Sequence, residues 1–186
     1  MSVLIIDDEP DKKVGEDFLR RLDQLKIKYQ IAETLKDAKT KYDNARDFHT
    51  VIVDFAFPTN KREKEAGIIQ AYNGVEFLKK YKFLLATRMT YVIINTSADK
   101  EDRDRKLAEI GYGKYCQNLK ILDIPLSTIT PGLLNEIIAG INKQEHEMNG
   151  AASNPVALAN KAKTYGEKAA RYNPKNDPYG RFNYGD

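Results

Sequence analysis

Short apolar, β-branched runs alternate with helix-period stripes along most of this chain. Val3-Leu4-Ile5-Ile6 carries no polar alternation, the pattern of a strand covered on both faces, and Thr50–Val53 and Tyr91–Ile94 read the same way. Between the first two, Val14, Phe18, Leu22 and Leu25 recur at three- and four-residue spacing after Pro10 and predict a helix with one apolar stripe. Ile27–Ala32 is a candidate second strand, and Thr34 is placed to cap a helix running to about Tyr42. Asn73–Tyr81 and Lys100–Ile110 continue as helices, and Leu119–Ile124 reads as a fifth strand. Thr130-Pro131 opens a last helix with Leu133, Leu134, Ile137, Ile138 and Ile141 on its buried side. Five strands alternating with five helices require an α/β fold: a five-stranded, doubly wound parallel sheet joined by right-handed crossovers. Ligands of such sheets bind at the carboxyl ends of the strands, so the chemistry is expected just after each strand.

Two connections are long: Thr59–Tyr72, containing Lys61-Arg62-Glu63-Lys64-Glu65, and Gly111–Asn118. After Gly150 the composition shifts to Ala, Asn, Gly, Pro and Tyr. A folded domain is expected over residues 1–148, with 149–186 as a basic tail, partly helical (Pro155–Arg171) or disordered. In that tail Tyr165, Tyr172, Tyr179, Phe182 and Tyr184 are interspersed with six Lys/Arg. Such a mixture suits docking on a protein groove or stacking on single-stranded nucleic acid. With no helix-turn-helix pattern and too little apolar material the tail is not an output domain, and packing on its own domain or docking on a downstream protein partner is preferred to nucleic acid.

Charge and cysteine content narrow the class. The net charge of +3 is confined to the tail, and residues 1–150 carry 24 basic and 24 acidic side chains. A neutral body argues against a generally nucleic-acid-coated protein. The single Cys116, with only His49 and His146 for company, supports neither a disulfide nor a structural zinc site, so a reducing, cytoplasmic setting is expected. Cys116 reads as a buried thiol, His49 as a turn or edge residue, and His146 as a cation near a helix end. No apolar run approaches the roughly 20 residues that span a bilayer.

Asp7 and Asp8 directly follow the first strand and Asp54 ends the third. If those strands are neighbours, three carboxylates converge at one edge and repel one another unless a cation neutralises them. A hard divalent ion, Mg²⁺ before Ca²⁺, suits carboxylates supplemented by a carbonyl and water. Thr96 closes the fourth strand and adds a hydroxyl at the same rim.

These residues bear a family likeness. Residues 1 to about 147 resemble the receiver domain of two-component response regulators, the CheY-like, flavodoxin-like receiver fold. Val3-Leu4-Ile5-Ile6-Asp7-Asp8-Glu9-Pro10 is similar to that family's opening strand and acid pair. Val51-Ile52-Val53-Asp54-Phe55-Ala56-Phe57-Pro58 is similar to its phosphoacceptor strand, Asn73-Gly74 to its Asp-Gly opening of the third helix, and Val92-Ile93-Ile94-Asn95-Thr96-Ser97-Ala98 to its fourth strand. The resemblance implies Asp54 as phosphoacceptor and Asp7, Asp8, Asp54 and the Ala56 carbonyl as Mg²⁺ ligands. It also implies Thr96 as the hydroxyl that captures the phosphoryl group, and a sensor histidine kinase or phosphotransfer protein as partner. A signalling module rather than an enzyme is expected; the Asp-x-Asp arrangement of metal-dependent phosphatases is absent after Asp54. An adaptor that binds a partner through its surface and tail, without phosphotransfer, is the alternative.

The pattern departs at the fifth strand. The family places a Lys-Pro pair there, with the lysine on the phosphoryl oxygens, whereas Lys120-Ile121-Leu122-Asp123-Ile124-Pro125 puts Ile124 in the lysine's place and Ile121 where an aromatic switch residue stands. Lys120 lies about 13 Å back along the strand, too far to substitute without a bulge. Lys61, Arg62 or Lys64 could fold back over the site, although a solvated loop is the plainer reading of that run. Asp99–Lys106 reads as the solvent face of the fourth helix and a secondary candidate for partner contact.

Overall fold

The computed structural model describes residues 2–45, 48–88, 90–111, 119–122, 126–128 and 130–152. Strands β1 (Ser2–Ile6), β2 (Lys28–Ala32), β3 (Phe48–Val53), β4 (Tyr91–Asn95) and β5 (Leu119–Leu122) form one sheet in the order β2-β1-β3-β4-β5. Every pairing is parallel. The helices are α1 (Glu16–Gln24), α2 (Leu35–Ala45), α3 (Lys61–Glu65), α4 (Asn73–Thr87), α5 (Lys100–Glu109) and α6 (Pro131–Ala152). A π-helical turn, Asp11–Gly15, precedes α1, and a 3-10 turn, Leu126–Thr128, follows β5.

Alternate residues of the central strands feed two cores. Leu4, Ile6, Val51, Val53, Val92 and Ile94 face α2, α4 and α5, where Tyr42, Phe77 and Tyr81 form an aromatic cluster with centroid spacings of 4.6–5.6 Å. Val3, Ile5, Ile52 and Ile93 face α1 and α6, meeting Phe18, Leu22, Ile137 and Ile141. Both sides of the sheet are therefore dry, which explains why β1, β3 and β4 lack polar alternation. Because β1 is flanked by β2 on one side and β3 on the other, the chain reverses direction across the sheet between β1 and β3, and a crevice opens at their carboxyl ends.

Several local expectations change. The Thr59–Tyr72 connection contains the extra helix α3, begun by Asn60, whose side chain accepts from the Glu63 backbone N–H at 3.1 Å while Glu63 accepts from the Thr59 N–H at 2.8 Å. Leu25 is 40% exposed because α1 ends before it, although Val14, Phe18 and Leu22 are buried as the stripe requires. His49 lies within β3: pairing steps from Ser2↔Phe48 to Val3↔Thr50, which leaves it as the extra residue of a bulge. α5 is not wholly a solvent face, since Arg103 and Leu107 are buried. The expectations for Cys116, Ile124, Pro125 and the helix Pro155–Arg171 lie outside the described residues.

Candidate functional site

Asp7 and Asp8 leave the end of β1, and Asp54 leaves the end of β3. Their registered pairing, Ile6↔Val53, sets the acids side by side. One carboxylate oxygen from each of Asp7, Asp8 and Asp54 lies within 4.8 Å of the others. Asp7 and Asp54 are almost fully buried, at 1% and 2% exposure. Asp7 Oδ1 accepts from the Glu9 N–H at 2.8 Å, whereas its Oδ2 is buried without a hydrogen-bond partner among the described residues. Burial pushes the Asp7 carboxyl up to about 7; the Glu9 N–H and the Lys13 charge oppose that rise, and the Asp54 and Asp8 charges add to it.

The backbone around Asp54 is tightly held. Asp54 Oδ1 accepts from the Phe55 N–H at 2.6 Å, and Asn73 Nδ2 donates to the Phe57 carbonyl at 2.7 Å and to Thr59 Oγ1 at 3.2 Å. Gly74 donates its N–H to the Phe55 carbonyl at 3.0 Å. The Asn73-Gly74 pair thus staples the start of α4 to the loop carrying Asp54. Ala56, half-buried, lies two residues after Asp54 in that loop. Thr96 is buried directly after β4, at the same edge of the sheet, and its Oγ1 accepts from the Ala98 N–H at 3.2 Å.

The cation at this site comes from an unexpected element. Lys13 Nζ donates to Asp54 Oδ2 at 2.6 Å and to Asp8 Oδ1 at 3.2 Å. Burial alone would lower the Lys13 ammonium's pKa; the Asp54 hydrogen bond and the charges of Asp54, Asp7 and Asp8 hold it above the usual lysine range instead. The other candidate lysines are engaged elsewhere: Lys120 with Glu136 at 2.6 Å, Lys64 with Glu33 at 2.6 Å, and Lys61 with Glu65 at 3.8 Å. Arg62 is exposed on α3. The fold-back of this charged run therefore does not occur, because α3 and its contact with Glu33 hold it away. Sequence reasoning missed Lys13, whose only signal was a lysine in the first turn after the acid pair.

The residues fit a divalent ion. Three converging carboxylates are hard oxygen donors, and the unpartnered Asp7 Oδ2 is a buried acceptor in want of a positive partner.

Solved structures share this arrangement of strands and helices. A CheY-like response regulator receiver domain protein from Methanospirillum hungatei JF-1 superposes with a TM-score of 0.51 at 19% identity, covering 78% of this chain and 97% of that one. The receiver domain of the Francisella response regulator 1452 gives 0.50 at 17% identity, covering 78% and 97%. This is the receiver-domain fold. No family model and no curated protein matches the chain by sequence. In this chain Asp7, Asp8 and Asp54 converge at the carboxyl edge of the sheet, and Thr96 follows β4 at the same edge.

Proposed function

We propose that this receiver-fold protein acts in two-component signalling and accepts a phosphoryl group on Asp54, with Mg²⁺ held by Asp7, Asp8, Asp54 and the Ala56 carbonyl. The observation that carries this reading is the convergence of Asp7 and Asp8 on Asp54, with Asp7 Oδ2 unpartnered among the described residues. A carboxylate attacks phosphorus in line only if its charge is offset and the equatorial oxygens are stabilised. Bound Mg²⁺ would supply part of that offset. Among the protein's own groups, the Phe55 N–H orients Asp54 through Oδ1, the Asn73-Gly74 staple holds its loop still, and Thr96 offers a hydroxyl at the rim. The donor would be a sensor histidine kinase or a phosphotransfer protein, and the tail would engage a downstream protein partner.

Intact-mass measurement after acetyl phosphate treatment in Mg²⁺ tests the reading. One phosphoryl adduct is expected on the wild type and none on Asp54→Asn. If acetyl phosphate and a cognate kinase both fail to label the wild type, the adaptor role without phosphotransfer replaces it.

A further inference from the structure

Lys13 is not a surface lysine that happens to reach an acid. Its turn, Asp11–Gly15, is wound wider than an α-helix, a local form that recurs at functional sites. Three fastenings fix that turn in place. Lys13 donates its backbone N–H to the Glu9 carbonyl at 3.1 Å. Its carbonyl accepts from Asn95 Nδ2 at 3.5 Å, and the Oδ1 of the same buried Asn95 accepts from the Leu126 N–H at 2.9 Å. Gly15, at φ +88°, closes the turn against Ser127, whose Cα would lie 2.9 Å from any Cβ placed there. The lysine backbone is thus anchored to the end of β4, the strand next to Asp54's own, and to the turn after β5.

We infer that Lys13 is the catalytic cation of Asp54 chemistry, supplied from the turn before α1. This rests on the phosphoacceptor reading above. In the resting protein the ammonium sits on Asp54 Oδ2. During transfer an Asp54 oxygen forms a bond to phosphorus as the bond from phosphorus to the leaving group breaks, and the electron pair departs with the leaving group. The acyl phosphate carries one more negative charge than the carboxylate it replaces, and its new oxygens form within reach of a group already 2.6 Å from the carboxylate. Lys13 then passes from carboxylate to phosphoryl oxygens without leaving the site, and a charge-assisted hydrogen bond is kept throughout. The Lys13 side chain is 30% exposed, which leaves the donor an approach to the same rim.

The test compares wild type, Lys13→Met and Lys13→Arg as full-length proteins. The rate of Asp54 labelling by acetyl phosphate in Mg²⁺ is followed by intact mass. Lys13→Met should label about tenfold to a hundredfold more slowly, the loss expected for one charge-assisted contact in the transition state, and Lys13→Arg should keep most of the rate. A second readout needs no labelling. Without metal, Lys13→Met should lower the melting temperature much less in an Asp54→Asn background than in the wild type, because the carboxylate it meets at 2.6 Å is already gone and only the longer Asp8 contact remains. Equal labelling of wild type and Lys13→Met, faster labelling of Lys13→Met, or additive melting shifts would overturn the inference alone. A wild type that never labels overturns it together with the proposed function.

Discussion

A Cβ on Gly74 would sit 2.0 Å from the Asp54 carbonyl oxygen, so the first turn of α4 and the phosphoacceptor candidate are in backbone contact. Only glycine permits that approach. Gly74→Ala should therefore destabilise the fold by about 3 kcal/mol or more, since backbone rather than a flexible side chain must yield. Gly67 has a φ of +67° but open space around it, and Gly67→Ala should cost only about 1 kcal/mol. Urea unfolding of the two variants checks the contrast, and equal midpoints would refute it.

Divalent ion should stabilise the protein through the acid cluster. With Mg²⁺ at about a hundred times its dissociation constant, the gain should be about 2.7 kcal/mol, seen as a rising melting temperature. An Asp8→Ala/Asp54→Ala double variant should show no rise. A rise of the same size in that variant would place the ion elsewhere.

Stability of the metal-free protein should fall as pH rises from about 4 to about 7. Unfolded, the Asp7 carboxyl ionises near 3.8; folded, near 7, so in that window only the native state holds the extra proton. Raising the pH removes that proton at the native state's expense, a loss on the order of 4 kcal/mol when complete. Denaturant titrations in a chelator at stepped pH measure it. Asp7→Asn should flatten the window, and an unchanged slope in that variant would assign the dependence to another group.

Asn95→Ala should cost about 1–3 kcal/mol, because the Leu126 N–H is buried and loses its acceptor. The same variant should slow labelling of Asp54 if the hold on the Lys13 carbonyl matters to the site. A stable variant with normal labelling would show that Asn95 positions neither segment.

Removing residues 153–186 should move the melting temperature by no more than about 2 °C. Ile137, Ile138 and Ile141 of α6 pack in the core with α1 on one face of the sheet, and α2, α4 and α5 cover the other. A pull-down of the downstream partner should be lost on the same truncation. A large fall in melting temperature would instead make the tail part of the core.

The fold class was legible in the chain because a strand buried on both faces has no room for polar alternation. Val3–Ile6, Val51–Val53 and Val92–Ile94 say so in their composition alone. The acid cluster was legible for a related reason: Asp7, Asp8 and Asp54 fall immediately after strands that a parallel α/β topology makes neighbours. Asn73-Gly74 was visible as a motif, but the 2.0 Å approach that demands its glycine was not. What only the tertiary structure decided was the cation. Lys13 and Asp54 are 41 residues apart, and nothing in local pattern distinguishes Lys13 from Lys12, which turns instead to Glu9 on the surface. The choice between them is made by the π-helical turn and its ties to Asn95 and Ser127. Those contacts join the ends of three strands, so they exist only once the sheet has closed.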